Sequence, residues 1–310
     1  MTTTKTILQL NSCCLHEVLK QIKRNCEIDD APRASKYADL INFALACDWF
    51  GDILHEWNTE LYNQLENTYY NEFSDVIVDF ARIYKHKPSA KDLEAFWNMC
   101  VPALQTNNNL KELELIDERE SCDETLAEYF HKIMCAVENK ETVKTFKVSM
   151  RAYRIVSVPQ FRQLRELHLN VRLDALQLLK FCELNQNLTA LHIMNNEIVG
   201  NFDKLVDVCS NVKTFAFQTK RNIDDAEYTP LAKLPKLDSL CIQPAHQTGS
   251  LESFFNALVK KQSNSLQRIQ IRGAAISAKE FDNLLSIPTL KELECDLPLN
   301  YESVSQLRKI

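Results

Sequence analysis

The sequence predicts an α/β chain: an N-terminal helical bundle, then a solenoid of parallel strands on the concave side with helices on the convex side. Two observations carry this prediction. From Leu110 onward a pattern of the form apolar-x-x-apolar-x-apolar returns through eight units at near-constant spacing. Before it, residues 7–57 place apolar residues three and four apart and show no such repeat.

The fullest copy of the pattern is Leu188-Thr-Ala-Leu191-His-Ile193-Met-Asn-Asn196-Glu-Ile198, which reads L-x-x-L-x-L-x-x-N-x-L, the signature of a leucine-rich repeat. Leu191 and Ile193 alternate onto one face of a short strand, and Asn196 is expected to satisfy backbone groups where the strand bends away. Shorter copies stand at Leu110/Leu113/Leu115, Val143/Phe146/Val148, Leu164/Leu167/Leu169 and Val212/Phe215/Phe217. They continue at Leu237/Leu240/Ile242, Leu266/Ile269/Ile271 and Leu290/Leu293/Cys295. The starts lie 33, 21, 24, 24, 25, 29 and 24 residues apart, mostly within the roughly 20–29 residues of this repeat class. A solenoid over residues 106–310 follows.

Each strand is expected to be followed by a helix, because a lone repeat cannot bury its apolar face and must stack on its neighbours. The helical patterns are Leu126/Phe130/Ile133/Met134/Val137, Leu173/Leu176/Leu179/Phe181, Phe202/Leu205/Val208, Leu251/Phe254/Leu258 and Phe281/Leu284/Leu285. Tyr301–Ile310, with Val304 and Leu307, would close the open end.

Residues 1–57 read as a separate domain. Leu10, Cys14, Leu15, Val18, Leu19 and Ile22 form one helix face, with Ser12 as its expected N-cap. A polar stretch around Asn25–Arg33 separates it from a second helical run of Leu40, Phe43, Ala44, Cys47, Phe50, Ile53, Leu54 and Trp57. Both runs resemble the F-box, the module that docks the Skp adaptor of SCF ubiquitin ligases. The first matches its opening helix at the apolar positions. The second, from Asp39 to Ile53, is similar to its "L-A-x-V-C-x-x-F/W-x-x-I" ending, and Trp57 falls near its closing tryptophan. Asn11 stands where the family carries proline, and the insertion at Glu27–Lys36 is long.

The resemblance implies a substrate-recognition subunit of an SCF-type ligase. The chain would bind the Skp adaptor, and through it the cullin scaffold, using Leu10, Leu15, Val18, Leu19, Leu40 and Phe43. The repeats would present a target protein and the chain itself would do no chemistry. The competing reading is a binding scaffold whose F-box is degenerate and which has no ligase role.

Residues 58–105 are expected to form a rigid helical connector packing on the first repeat. Leu61, Leu65, Tyr69, Phe73, Val76, Ile77, Phe80 and Ile83 recur at helical spacing until Lys85-His-Lys-Pro88. Ser89 then caps a helix carrying Leu93, Phe96, Trp97, Cys100 and Leu104.

Composition narrows the chemistry. A net charge of −6 argues against nucleic acid as a partner. With 4 glycines in 310 residues, neither G-x-G-x-x-G nor a P-loop occurs. The 11 cysteines include no C-x-x-C, and Cys47, Cys100, Cys135, Cys182 and Cys209 lie in apolar helical patterns, as small hydrophobes of a reducing compartment would. No apolar run approaches the ~18 residues of a membrane span, and Met1-Thr-Thr-Thr-Lys-Thr lacks a signal-peptide core. The expectation is a cytoplasmic or nuclear protein with no membrane partner and no cofactor.

Site chemistry is sparse. Glu112/Glu114 and Glu292/Glu294 alternate onto a solvent face, and Asp117-Glu-Arg-Glu120 reads as a solvated loop. His168 and His192 occupy equivalent positions of consecutive repeats, but the column continues with Ala216 and Cys241, so no metal is expected there. The outward column Glu114, Lys147, His168, His192, Ala216, Cys241, Gln270 and Glu294 is acidic at its ends and basic in the middle. With Asn170, Met194, Gln218 and Gln243 just beyond, it predicts an acidic or phosphorylated target held by Lys147, His168, His192, Met194, Gln218 and Gln243.

Overall fold

The computed structural model describes residues 10–27, 33–87, 89–194, 202–218, 225–243, 251–261 and 265–296. The chain divides into two compact units, residues 1–76 with 82–110 and residues 77–81 with 111–310. Asn196, Ile198, Lys220, Arg221 and the segment 301–310 lie outside the described residues.

The first unit is helical: α1 (Ser12–Glu27), a short α2 (Arg33–Lys36), α3 (Ala38–Ala46), α4 (Asp48–Trp57), α5 (Thr59–Glu72), most of α6 (Phe80–His86) and α7 (Ala90–Thr106). Asn11, not Ser12, caps α1: its Oδ1 accepts from the Cys14 N–H at 2.9 Å. The core takes Leu15, Leu19, Leu40, Leu54, Trp97 and Leu104, all essentially enclosed. Arg82 of α6 reaches back to donate to the Ala44 carbonyl at 2.8 Å and pairs with Asp48. Gly51 leaves the room for it, since a Cβ there would lie 2.9 Å from the guanidinium. Ser89 caps α7 as the sequence predicts, accepting from the Asp92 N–H.

One prediction fails between these helices. The apolar run Leu61–Ile83 is not one helix: α5 stops at Glu72 and Asp75–Asp79 forms a strand, β1, before α6 begins. The β-branched triplet Val76-Ile77-Val78 is stiff at χ1 and suits a pleated surface, and its burial alternates as a strand requires.

The second unit is a sheet of nine strands in simple chain order, β1 to β9. The remaining strands are β2 (Glu112–Ile116), β3 (Thr145–Arg154), β4 (Glu166–Arg172), β5 (Ala190–Ile193), β6 (Thr214–Gln218), β7 (Ser239–Gln243), β8 (Arg268–Ala275) and β9 (Glu292–Asp296). From β2 onward every neighbouring pair is parallel. Consecutive parallel strands without a change of order define a solenoid, and this is a leucine-rich-repeat architecture. The apolar positions pair in register: Leu113 with Phe146, Leu167 with Leu191, Phe215 with Leu240, Ile269 with Leu293.

Behind the sheet lie α8 (Glu124–Ala136), α9 (Ala175–Leu184), α10 (Asp203–Val208), α11 (Glu252–Lys260) and α12 (Ala278–Leu285). A helix does not follow every strand. β3 runs on to Arg154, and the segment before β4 contains Pro159; Ile155 and Phe161 are buried there in place of a helix. Between β6 and β7 a 3₁₀ segment, Asp225–Lys233 with Pro230 inside, takes the helix position. In α9 the buried residues are Leu178, Phe181 and Cys182, while Leu176 is 74% exposed, so the predicted face is rotated.

Two asparagines close the turns leading into strands. Asn185 is 2% exposed; its Oδ1 accepts from the Phe161 N–H at 2.7 Å, and its Nδ2 donates to the carbonyls of Phe181 and Pro159. Asn107 does the same in the first unit, donating to the carbonyls of Tyr70 and Phe73 and accepting from the Asn109 N–H. Both stand three residues before a repeat's first apolar position, a recurrence visible in the sequence.

All eleven cysteines are free. Cys26, Cys100, Cys182 and Cys209 are buried as small hydrophobes, whereas Cys135, on the outer side of α8, is exposed. No helix among the described residues is long and apolar enough to cross a membrane.

Candidate functional site

Strand alternation turns every second side chain of the sheet away from the helices. The ladder brings the predicted column together: Glu114 pairs with Lys147, Lys147 with His168, His168 with His192, His192 with Ala216, then Cys241, Gln270 and Glu294 in turn. A second outward column runs through Glu112, Thr145, Glu166, Ala190, Thr214, Ser239, Arg268 and Glu292. Gln218 lies beside Gln243, and Met194 follows β5 with its N–H donating to the Leu169 carbonyl. Each of the six predicted target-binding residues is therefore on one face.

Its charge differs from the prediction. Lys147 is paired with Glu112, whose carboxylate holds the ammonium above its ordinary pKa. His168 Nε2 lies 2.6 Å from Glu166 Oε1. The His168 and His192 rings stack with centroids 3.9 Å apart and planes 20° from parallel. Burial, and then the neighbouring His168, push the His192 imidazole down to about 4, so it is uncharged at neutral pH. Farther along, Arg268 pairs with Glu292 and Gln270 with Glu294. The acids that neutralise this column sit outside it, two residues earlier on the same or the adjoining strand.

A run of basic residues lies instead on the rim where the strands begin, ending at Asp238 on the rung after Lys213. Lys111, Lys144, Arg165, Thr189 and Lys213 occupy successive rungs: the N–H of each later residue donates to the carbonyl of the one before. Among the described residues, no hydrogen bond or ion pair engages the side chains of Lys111, Lys144, Arg165 or Lys213, while the Arg165 carbonyl accepts from Thr189 Oγ1. Beside them a cleft of about 530 Å³ is lined by Gln163, Arg165, Asn187, Thr189, Asn211, Lys213 and Lys236. Asn187 and Asn211 are fixed by donating to the carbonyls of Arg162 and Gln186, and Lys236 Nζ lies 2.7 Å from Asn211 Oδ1. The signal for this rim was legible: a basic residue precedes the second outward column in several repeats.

No protein-family profile and no curated protein matches the chain. Among solved structures it is similar to an internalin from Listeria monocytogenes, at 18% identity and a TM-score of 0.38. The match covers 63% of this chain and 50% of that one, so the chain spans about half the internalin's length. The repeat architecture itself stands on the strand order and register above.

The loop predicted to be solvated is so only in part: Glu118 and Glu120 are exposed, but Asp117 is not. Asp117 is 2% exposed and accepts from Tyr153 Oη at 2.6 Å, from the Arg119 guanidinium and from the Arg119 N–H. Burial, the largest influence, raises the Asp117 pKa, but these hydrogen bonds together outweigh it and the net direction is down. This network ties the end of β2 to β3.

The six predicted adaptor-binding residues divide. Leu15, Leu19 and Leu40 are wholly buried in the first unit's own core and offer nothing to a partner; they lie on the faces by which α1, α3 and α4 pack. Leu10, Val18 and Phe43 remain partly exposed, Phe43 stacking on Phe50 at 4.4 Å. Leu45, outside the predicted set, is 41% exposed.

Proposed function

We propose that this chain is a non-catalytic receptor that holds a target protein on its repeat unit and docks an adaptor through its helical unit. The observation that carries the target-binding half is the rim of Lys111, Lys144, Arg165 and Lys213 beside its cleft, on a chain of net charge −6. Cations gathered on one edge of a net acidic protein favour an acidic or phosphorylated segment, which Arg165 is suited to grip bidentately. The polar face beyond would give the segment a bed of amides, Gln218 and Gln243 among them.

The adaptor half rests on the F-box resemblance of residues 10–57 and on the partly exposed Leu10, Val18, Phe43 and Leu45. The partner is then the Skp adaptor, with the cullin scaffold beyond it. The test is co-purification of adaptor with the full chain, wild type against Val18→Asp/Leu45→Asp. These positions are open enough for aspartate without unfolding α1 or α3. Adaptor recovered with wild type and lost with the variant supports the ligase receptor. No adaptor with either leaves the scaffold reading in its place. For the target half, Lys144→Glu/Arg165→Glu/Lys213→Glu should abolish proximity labelling of partners that wild type labels; an unchanged set sinks the rim as the binding edge.

A further inference from the structure

The pair His168 and His192 lacked a third metal donor in its own column, and the structure supplies one from the adjoining column. Glu166 lies two residues before His168 on β4, so both project from the same face. One donor atom from each of Glu166, His168 and His192 falls within 4.8 Å of the other two. From this geometry we propose that Glu166, His168 and His192 form a site for a divalent transition-metal ion of the zinc class, open to solvent at its remaining coordination position.

Several features of the site fit such an ion. Two imidazoles and one carboxylate form a mixed nitrogen and oxygen donor set, which suits zinc, cobalt or nickel and disfavours calcium and magnesium. Zinc bonds to such donors are about 2.0–2.2 Å, which places ligand atoms roughly 3.4 Å apart in a tetrahedron. The three donors therefore need to close by little more than a side-chain rotation. One ring must turn out of the stack to aim its nitrogen at the shared point, and its surroundings allow this. Ala190 is the rung beside Glu166 and Ala216 the rung beside His192, so both flanks carry only a methyl group. All three ligands are partly exposed, which gives the ion access and leaves water as its fourth ligand. Lys147, the next rung beyond His168, opposes a cation, but its charge is matched by Glu112.

The experiment titrates Zn²⁺ into chelator-stripped full-length protein by calorimetry at pH 7.5, with thermal melting in parallel. Wild type should take up one equivalent at this site and melt higher with the metal, since a ligand of the folded state stabilises it. His168→Ala/His192→Ala should lose that equivalent, with affinity falling at least about 100-fold, and Glu166→Gln should weaken it about 10-fold. Because the free cysteines also attract zinc, the deciding comparison is wild type against variant at equal thiol content. His168→Asn/His192→Gln serves as a second variant if the alanines disturb the fold. Ring-proton resonances of both histidines should shift on Zn²⁺ addition and stay fixed with Mg²⁺. Equal stoichiometry and affinity in a folded double variant, or ring resonances indifferent to Zn²⁺, would overturn the site.

Discussion

Replacing Asn185 should cost the repeat unit more than any surface change, because its one amide satisfies three backbone groups in a buried turn. Asn185→Ala removes the acceptor of the Phe161 N–H at 2.7 Å and the donor to the carbonyls of Phe181 and Pro159. Three neutral hydrogen bonds contribute about 0.5–1.5 kcal/mol each, and an orphaned buried N–H costs about 1–3 kcal/mol. The expected loss is therefore about 2.5–7.5 kcal/mol. Asn185→Asp has nearly the same shape and keeps the Phe161 bond, but it points a carboxylate oxygen at two carbonyls. The folded state should hold that carboxyl protonated, with its pKa raised above the unfolded value. Its stability relative to wild type is then greatest below the unfolded carboxyl pKa and is lost as pH rises through the folded one. Urea unfolding followed by far-ultraviolet circular dichroism reads both variants, fitted on the transition of the repeat unit. A loss under about 1 kcal/mol for Asn185→Ala, or an Asn185→Asp penalty that shrinks as pH rises from 4 to 7, would refute this account of the turn.

Tyr153→Phe should destabilise the chain by about 1–2 kcal/mol through loss of its bond to Asp117, measured by the same urea titration. Because the Asp117 pKa is lowered on folding, its contribution is present above the unfolded carboxyl pKa and is lost as pH falls through the folded value; Asp117→Asn should flatten that acid limb. His192 should titrate near 4 in metal-free buffer by imidazole resonance, and His168→Gln should bring it part-way back toward its ordinary value; a normal titration would remove the buried stack. A folded pKa this low means the His192 contribution is whole above about 6.5 and is lost as pH falls toward 4. Leu15→Asp/Leu19→Asp should melt the helical unit outright, visible as a lost circular-dichroism transition, because both side chains are enclosed.

The repeat array was legible from residue order because its rule is local. Each apolar-x-x-apolar-x-apolar triplet declares a strand, and a near-constant interval places successive strands on successive rungs, so Leu167, Leu191 and Phe215 pair as read. The outward column from Glu114 to Glu294 followed from the same alternation. What residue order left open depended on groups brought close from different columns or different helices. Val76-Ile77-Val78 fitted a helical period as well as a strand, and only a neighbouring strand to pair with decides between them. Asp117 looked like one acid in a charged loop until Tyr153, distant in sequence, arrived to hydrogen-bond it. Leu15 and Val18 both lie on an apolar helix face, and packing alone sends the first inward and leaves the second partly open. The histidine pair was visible in the sequence, but its charge state and its carboxylate neighbour were not. Ionisation and coordination depend on distances of a few ångströms across strands, and only the folded sheet sets those distances.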